Sequence, residues 1–257
     1  MGEIVNVQQM FGLTGKVALV TGGSRGMGRS MALGFAHAGA DVIVVSRKLD
    51  ACQEVARTIE ETTGQRALAV SCHLGDWDQV RDLVDTAYAE LGRVDVLVNN
   101  AGVSPTYDDP AGISQELYDK ILAVNLRGPF QLMTLIGTRM AAGDGGSIIN
   151  VTSHSAQHPD ATMIPYAGAK AGLNAMTIAC AHAFGPNVRV NAIQPGTFLT
   201  DISKAWDPDD LERWVEGYAL GRGANPDEII GTALYLASTL ASSYTTGAIL
   251  RVDGGNT

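Results

Sequence analysis

The chain has 257 residues, 46% of them apolar, enough to bury a sizeable core and to exclude a disordered tail. Its 18 Lys and Arg stand against 27 Asp and Glu, and a surface with a formal charge of −9 repels nucleic-acid phosphates and anionic lipid. Cys52, Cys72 and Cys180 form no paired motif, so their odd count fits a reduced, cytoplasmic protein better than a disulfide framework.

The opening MGEIVNVQQM has neither the basic segment nor the apolar run of a secretory leader, and Asn6 breaks the myristoylation pattern. From there, short β-branched runs predict strands over residues 17–21, 41–46, 67–71, 94–99, 147–152, 188–194 and 248–252. Between them, helical stretches fall at about 26–39, 49–63, 76–91, 114–140, 164–184 and 226–237. The strand runs are continuously apolar, as strands covered on both faces must be. Strand and helix alternate with no linker and no repeat, which predicts an α/β fold: one doubly wound, Rossmann-type parallel sheet of about seven strands in a single domain, 1–257. Residues 171–188 hold no Asp, Glu, Lys or Arg up to Val188, but the Gly185-Pro186 breaker makes a buried helix the expectation there, and no membrane span is expected. The stretch from about 200 to 225 is rich in Asp, Pro and Gly yet carries Trp206, Trp214 and Tyr218, and reads as an inserted, movable substrate flap.

The first strand runs into TGGSRGMG, which sets Gly22, Gly26 and Gly28 between an apolar strand and a helix. A tight turn, a close backbone approach and the free N–H groups of a helix start together suit a pyrophosphate. The spacing is G-x-x-x-G-x-G and differs from the G-x-G-x-x-G of other dinucleotide folds.

TGGSRGMG, followed in order by Asn99-Asn100-Ala101-Gly102, Ser153, Tyr166-x-x-x-Lys170 and Pro195-Gly196, resembles the short-chain dehydrogenase/reductase family from about Gly12 to Gly255. Within that family the general resemblance is to carrier-protein ketoacyl reductases and to sugar or polyol dehydrogenases. The chemistry agrees. Hydride transfer to a carbonyl leaves an alkoxide, so a proton donor and a polarising hydroxyl are needed, and Tyr166 and Ser153 are the candidates. A cation lowers a phenol's pKa, and Lys170 lies four residues on, on the same helix face as Tyr166. The resemblance adds Asn125 in AVNLRG as the holder of a water linking Lys170 to bulk solvent.

The resemblance also implies the cofactor contacts. Gly22, Ser24, Gly26 and Met27 cradle phosphates, Ala101 and Gly102 pass the adenosine ribose, and Asn99 braces the fourth strand beside them. Pro195 and Gly196 bend the chain over the nicotinamide, with the Phe198 backbone and the Thr200 hydroxyl as carboxamide partners, while Tyr166 and Lys170 reach its ribose. The second strand ends in Ser46, Arg47 and Lys48 where a carboxylate would favour NAD, and Arg25 lies near. Guanidinium groups suit a 2′-phosphate, so NADP(H) is expected, with NAD(H) the alternative. In one departure, His73 stands before Leu74 where the family commonly has an acid that bonds the adenine amino group. Either an imidazole nitrogen accepts that bond, or Leu74's backbone does the remaining work.

The substrate pocket is expected from Ser104 to Tyr107, Ser153, His154 to His158, Tyr166, Phe198 and the flap. His154 and His158 lack a third ligand, so no metal is expected. The resulting expectation is an NADP(H)-dependent oxidoreductase that interconverts a small-molecule carbonyl and a secondary alcohol. An NAD(H)-dependent alcohol dehydrogenase and a non-catalytic dinucleotide sensor are the alternatives. Uncharged faces on the helices near 114–140 and 164–184 predict burial on two sides, and the resemblance makes the partner a second copy, in a homotetramer.

Overall fold

The computed structural model describes residues 6–7, 9–107, 109–200 and 215–256. The strands are β1 Val17–Thr21, β2 Asp41–Ser46, β3 Ala67–Ser71, β4 Val96–Asn99, β5 Gly146–Val151, β6 Val188–Pro195 and β7 Ile249–Val252. The helices used below are α1 Gly26–His37, α2 Leu49–Thr63, α3 Trp77–Leu91, α4 Gln115–Leu122, α5 Gly128–Ala142, α6 Ile164–Phe184 and α7 Ile230–Ala237. All strand pairs are parallel, in the order β3-β2-β1-β4-β5-β6-β7. This is the expected Rossmann-type sheet.

Each parallel crossover needs a helix, and each helix must bury its apolar stripe on the sheet. Met31 and Phe35 of α1, Val55 and Ile59 of α2 and Leu236 of α7 cover one face. Leu83 of α3, Leu132 and Ile136 of α5 and Leu173 of α6 cover the other. The central strands are therefore buried along their length, while β3 and β7 at the edges are only half-buried. The strand order reverses between β1 and β4. Ligand crevices in such sheets open beyond the carboxyl ends of the strands at that point.

Three predicted elements differ. The helix expected over 114–140 is α4, a π turn over Ala123–Arg127, and then α5. Pro129 has no N–H to give the Asn125 carbonyl four residues back, so the ladder widens there, and Gly128 bonds the Ala123 carbonyl instead. The fourth strand starts at Val96, two residues late, just after Asp95, whose carboxylate is held by Arg93 and Lys16. The C-terminal helix opens with a 3₁₀ turn, Pro226–Ile229, before α7.

Of the predicted flap, residues 201–214, with Trp206 and Trp214, lie outside the described residues. The described part, 215–225, runs back along the exits of β6 and β7. Tyr218 shares a 2.6 Å hydrogen bond with Thr197, and Leu220 N–H donates to the Gly254 carbonyl at 3.0 Å.

Candidate active site

The mouth of the crevice is built from backbone. After Thr21 the chain turns through Gly22–Arg25 into α1. Gly26 sits at φ +53°, which disfavours any side chain, and a Cβ at Gly28 would lie 2.1 Å from the Gly22 carbonyl oxygen. Helix α1 begins with no side-chain cap and no acid in its first turn, with Arg25 at the cap position, and α2 begins uncapped behind Lys48. By contrast α3 and α4 are capped by Asp76 and Ser114. Two helix starts with free N–H groups thus open on the strand ends, one of them beside a floor stripped of side chains. That arrangement fits the pyrophosphate of a dinucleotide.

Two residues of the quoted motifs to which the sequence assigned no role, Thr21 and Asn100, hold this mouth. The Thr21 hydroxyl accepts the N–H groups of Asn100 at 3.0 Å and Ala101 at 3.1 Å, and donates to the Val98 carbonyl. The Asn100 amide donates to the Thr21 carbonyl at 2.8 Å. The signal was their place in TGGSRGMG and Asn99-Asn100-Ala101-Gly102, a Thr and an Asn closing the two strands that flank the switch point. Over the same cradle, Thr200 brings its methyl to 3.1 Å from where a Gly26 Cβ would stand.

Toward β2 and β3 lies a basic corner. The Ser46 hydroxyl is engaged by Lys48 N–H and the Cys52 thiol, so it shapes the turn. Arg25, Arg47 and Lys48 are exposed, and among the described residues none has a carboxylate partner. His73 is half-buried and Leu74 buried at the end of β3. Its Nδ1 already accepts the Gly75 N–H at 3.2 Å, so the expectation of a free imidazole acceptor does not hold at that nitrogen. Asn99 is buried and donates to Asn150 at 2.9 Å. Its amide bond lies within the sheet.

The chemical residues meet at the ends of β5 and β6. Ser153 follows β5 and its hydroxyl accepts Ser155 N–H at 3.1 Å, fixing the 3₁₀ turn His154–Ala156. Pro165, in the first turn of α6, needs no helical donor and starts the helix that carries Tyr166 and Lys170 one turn apart. The Ser153 hydroxyl lies close enough to the Tyr166 phenol to lower its pKa. Lys170 is 3% exposed, its Nζ donates to the Val151 carbonyl at 2.7 Å and lies 5.7 Å from the Tyr166 ring centre.

Burial pulls the Lys170 ammonium down to about 8. Burial also pushes the Tyr166 phenol above its ordinary value, with the Ser153 hydroxyl opposing. This corrects the expected lowering by Lys170, whose ammonium is turned to a main-chain carbonyl in the free protein. Asn125 lies in the π turn, its amide donating to Val103 and Ile121 carbonyls at 2.8 and 2.9 Å and accepting Val103 N–H at 3.2 Å. The side chain is a clamp on the loop after β4, and only its main-chain carbonyl, deprived of its usual donor by Pro129, is left to hold a water.

On the substrate side, His154 has both ring nitrogens buried without a partner among the described residues. Its ring meets His158 edge to face at 4.4 Å, and burial, then His158, pull its pKa down, so it is neutral at pH 7. Tyr107 is placed by its hydroxyl, which accepts Ile164 N–H at 2.7 Å. The Phe198 ring, expected in the pocket, is 4% exposed and belongs to the core, with Phe198 itself held in a parallel bridge to Ala224. The described residues contain no cluster of three metal-ligating side chains and no helix long and apolar enough to cross a membrane.

Residues 16–211 match the sequence profile of the short chain dehydrogenase family. The L-rhamnose 1-dehydrogenase (NAD(P)(+)) of Azotobacter vinelandii is 40% identical over 251 residues, covering 95% of this chain and 97% of that one. The 7alpha-hydroxysteroid dehydrogenase of Escherichia coli (strain K12) is 35% identical over 247 residues, covering 95% and 94%. The crystal structure of the NADPH-dependent 3-quinuclidinone reductase of Rhodotorula rubra superimposes with a TM-score of 0.93 at 29% identity, covering 100% of this chain and 97% of that one. The glycine cradle, the parallel sheet and the clustered Ser153, Tyr166 and Lys170 agree with these similarities, and the chain belongs to the short-chain dehydrogenase family of oxidoreductases.

Proposed function

We propose that this oxidoreductase interconverts a carbonyl and a secondary alcohol with NADP(H), and that Tyr166 moves the proton. The observation that carries the reading is Tyr166 one turn before buried Lys170 on α6 and beside the Ser153 hydroxyl, at the mouth of a side-chain-free cradle. A bound nicotinamide dinucleotide supplies or takes the hydride. The chain's residues do the rest. Tyr166, held above its ordinary pKa, is fully protonated at neutral pH and gives its proton to the oxygen on which charge develops. Ser153 donates a second hydrogen bond to that oxygen. Lys170 is charged below about pH 8 and stabilises the phenolate left behind. The Asn125 carbonyl holds the water through which the proton is restored.

Arg25, Arg47 and Lys48, exposed by two uncapped helix starts with no carboxylate partner among the described residues, are the 2′-phosphate contacts and make NADP(H) the preferred form. His73 and Leu74 flank the purine, and Gly196, Phe198 N–H and Thr200 the carboxamide. His154, with His158, faces the substrate. Relatives that act on rhamnose and on a hydroxysteroid show how widely the substrate half varies. We place the enzyme in the cytoplasm, in keeping with its free thiols. Ala171, Ala175 and Ile178 form an exposed, uncharged stripe on α6 and Phe130 is exposed on α5, which supports a homotetramer. Light scattering is expected to give four times the 27.0 kDa chain mass, and a monomer would contradict it.

The reading is tested by NADPH oxidation against a panel of lactones, oxosteroids, cyclic ketones and ketoacyl thioesters. At least one class is expected to turn over. Tight NADPH binding with no turnover on any of them would instead favour a dinucleotide sensor.

A further inference from the structure

A buried chain of amides joins three segments at the reacting end of the crevice. Tyr166 and Lys170 occupy one face of α6, and Asn174, one turn further on, extends that row. The Asn174 amide donates to the Gln194 side-chain oxygen at 3.4 Å, and the Gln194 amide donates to the Gln157 side-chain oxygen at 3.1 Å. Gln194 is 0% exposed and Asn174 8%, while Gln157 lies at the surface. Both ends of the Gln194 amide are bonded, as a polar group in a buried layer requires. The segments it joins are α6, the end of β6 just before Pro195-Gly196, and the far end of the turn that carries His154.

The two ends of that turn are held differently. At the near end Thr152 N–H donates to the Ile193 carbonyl at 2.8 Å, so the sheet itself anchors the chain entering Ser153. Within the turn, Ala156 N–H bonds the Ser153 carbonyl and the Gln157 and His158 N–H groups bond the His154 carbonyl. Among the described residues, the hydrogen bonds that leave 154–158 for anything beyond Ser153 are the Gln157–Gln194 bond and a 3.5 Å contact from the Ser155 hydroxyl to the Met163 sulfur, a weak acceptor. The His154 ring nitrogens have no partner of their own. The ring is therefore placed by the turn, and the far end of the turn by Gln194.

On the reading above, in which His154 and its turn face the substrate, we propose that Gln194 is a positioning residue for substrate. Through Gln157 it fixes the turn that carries His154, and it acts without touching substrate, cofactor or the reacting atoms. Ser153, anchored from the sheet, keeps its place when the tie is cut. Losing the tie therefore raises substrate KM and spares kcat.

The test pairs hydrogen exchange with steady-state kinetics on Gln194→Met, Gln157→Leu and the double variant. Gln194→Met is close in size and removes both bonds, while Gln157→Leu sits at the surface and leaves the core packing alone. In each single variant the amides of 155–158 are expected to exchange several-fold faster than in wild type. Substrate KM is expected to rise about threefold to tenfold, the scale of one hydrogen bond, with kcat and NADPH Kd within about twofold of wild type. The double variant is expected to be no worse than the worse single one, because both substitutions cut the same tie. Unchanged exchange, an unchanged KM, or losses that add in the double variant overturn the inference. If the wild-type protein turns over nothing, it is the function reading that fails, and hydrogen exchange alone then decides whether Gln194 holds the turn.

Discussion

The two halves of the crevice are made of different material. The cofactor half is backbone: a left-handed Gly26, a Gly28 with no room for a side chain, two uncapped helix starts, and the Thr21–Asn100 bonds that tie β1 to β4. The half proposed for substrate is side chain: His154 and His158 on and beside a short turn, and Tyr107 hung on Ile164 N–H. Main-chain geometry is dictated by strand order and by glycine, so it can persist while side chains change. Two similar proteins are named for a sugar and for a steroid, a range that a fixed main-chain frame with varied side chains allows. Ser153, Tyr166 and Lys170 sit at the seam.

The largest effect is expected at the seam. Lys170→Met should lower kcat/KM by roughly a hundredfold or more, the scale for losing support of a general acid, and steady-state kinetics with NADPH measures it. The lysine also leaves a pH signature. Its folded pKa of about 8 lies below its ordinary 10.5, so between those values the unfolded chain holds a proton that the folded protein does not. Stability therefore gains as pH rises through that window and carries the burial cost in full below it. Thermal melts of wild type and Lys170→Met should converge from pH 8 toward pH 10.5, and a constant difference would show that Lys170 is not buried as described.

A smaller pair of effects separates the halves. Arg47→Asp should reverse a preference for NADPH over NADH of about tenfold, roughly 1.4 kcal/mol, without moving substrate KM. His154→Phe should do the opposite, changing substrate KM by about threefold to tenfold through one lost hydrogen bond while NADPH affinity stays put. If either variant moved both quantities, the division into a backbone half and a side-chain half would fail.

The sequence made the cradle legible because strand, glycines and helix must occur in that order for the turn to close. It made Tyr166 and Lys170 legible because a four-residue spacing puts them on one helix face. What it hid was tertiary. Periodicity ran straight through 114–140, since one extra residue at Asn125 leaves the apolar pattern intact, and only the missing N–H of Pro129 marks the break. The acceptor for Lys170 is the main chain of Val151, which has no sequence signature. The Phe198 ring read as pocket because nothing in the sequence foretells its bridge to Ala224. The tie of His73 to Gly75 depends on a side-chain rotamer in a turn, and it closes off one of the two expectations for that position.

The central claim is that Tyr166 moves the proton in a site whose cofactor half stands without it. Tyr166→Phe removes the hydroxyl beside Ser153 and leaves the cradle untouched. NADPH titration of this variant should give a Kd within about twofold of wild type, while its turnover on any substrate the wild type accepts falls by about a hundredfold or more. Turnover within a few fold of wild type would contradict the assignment.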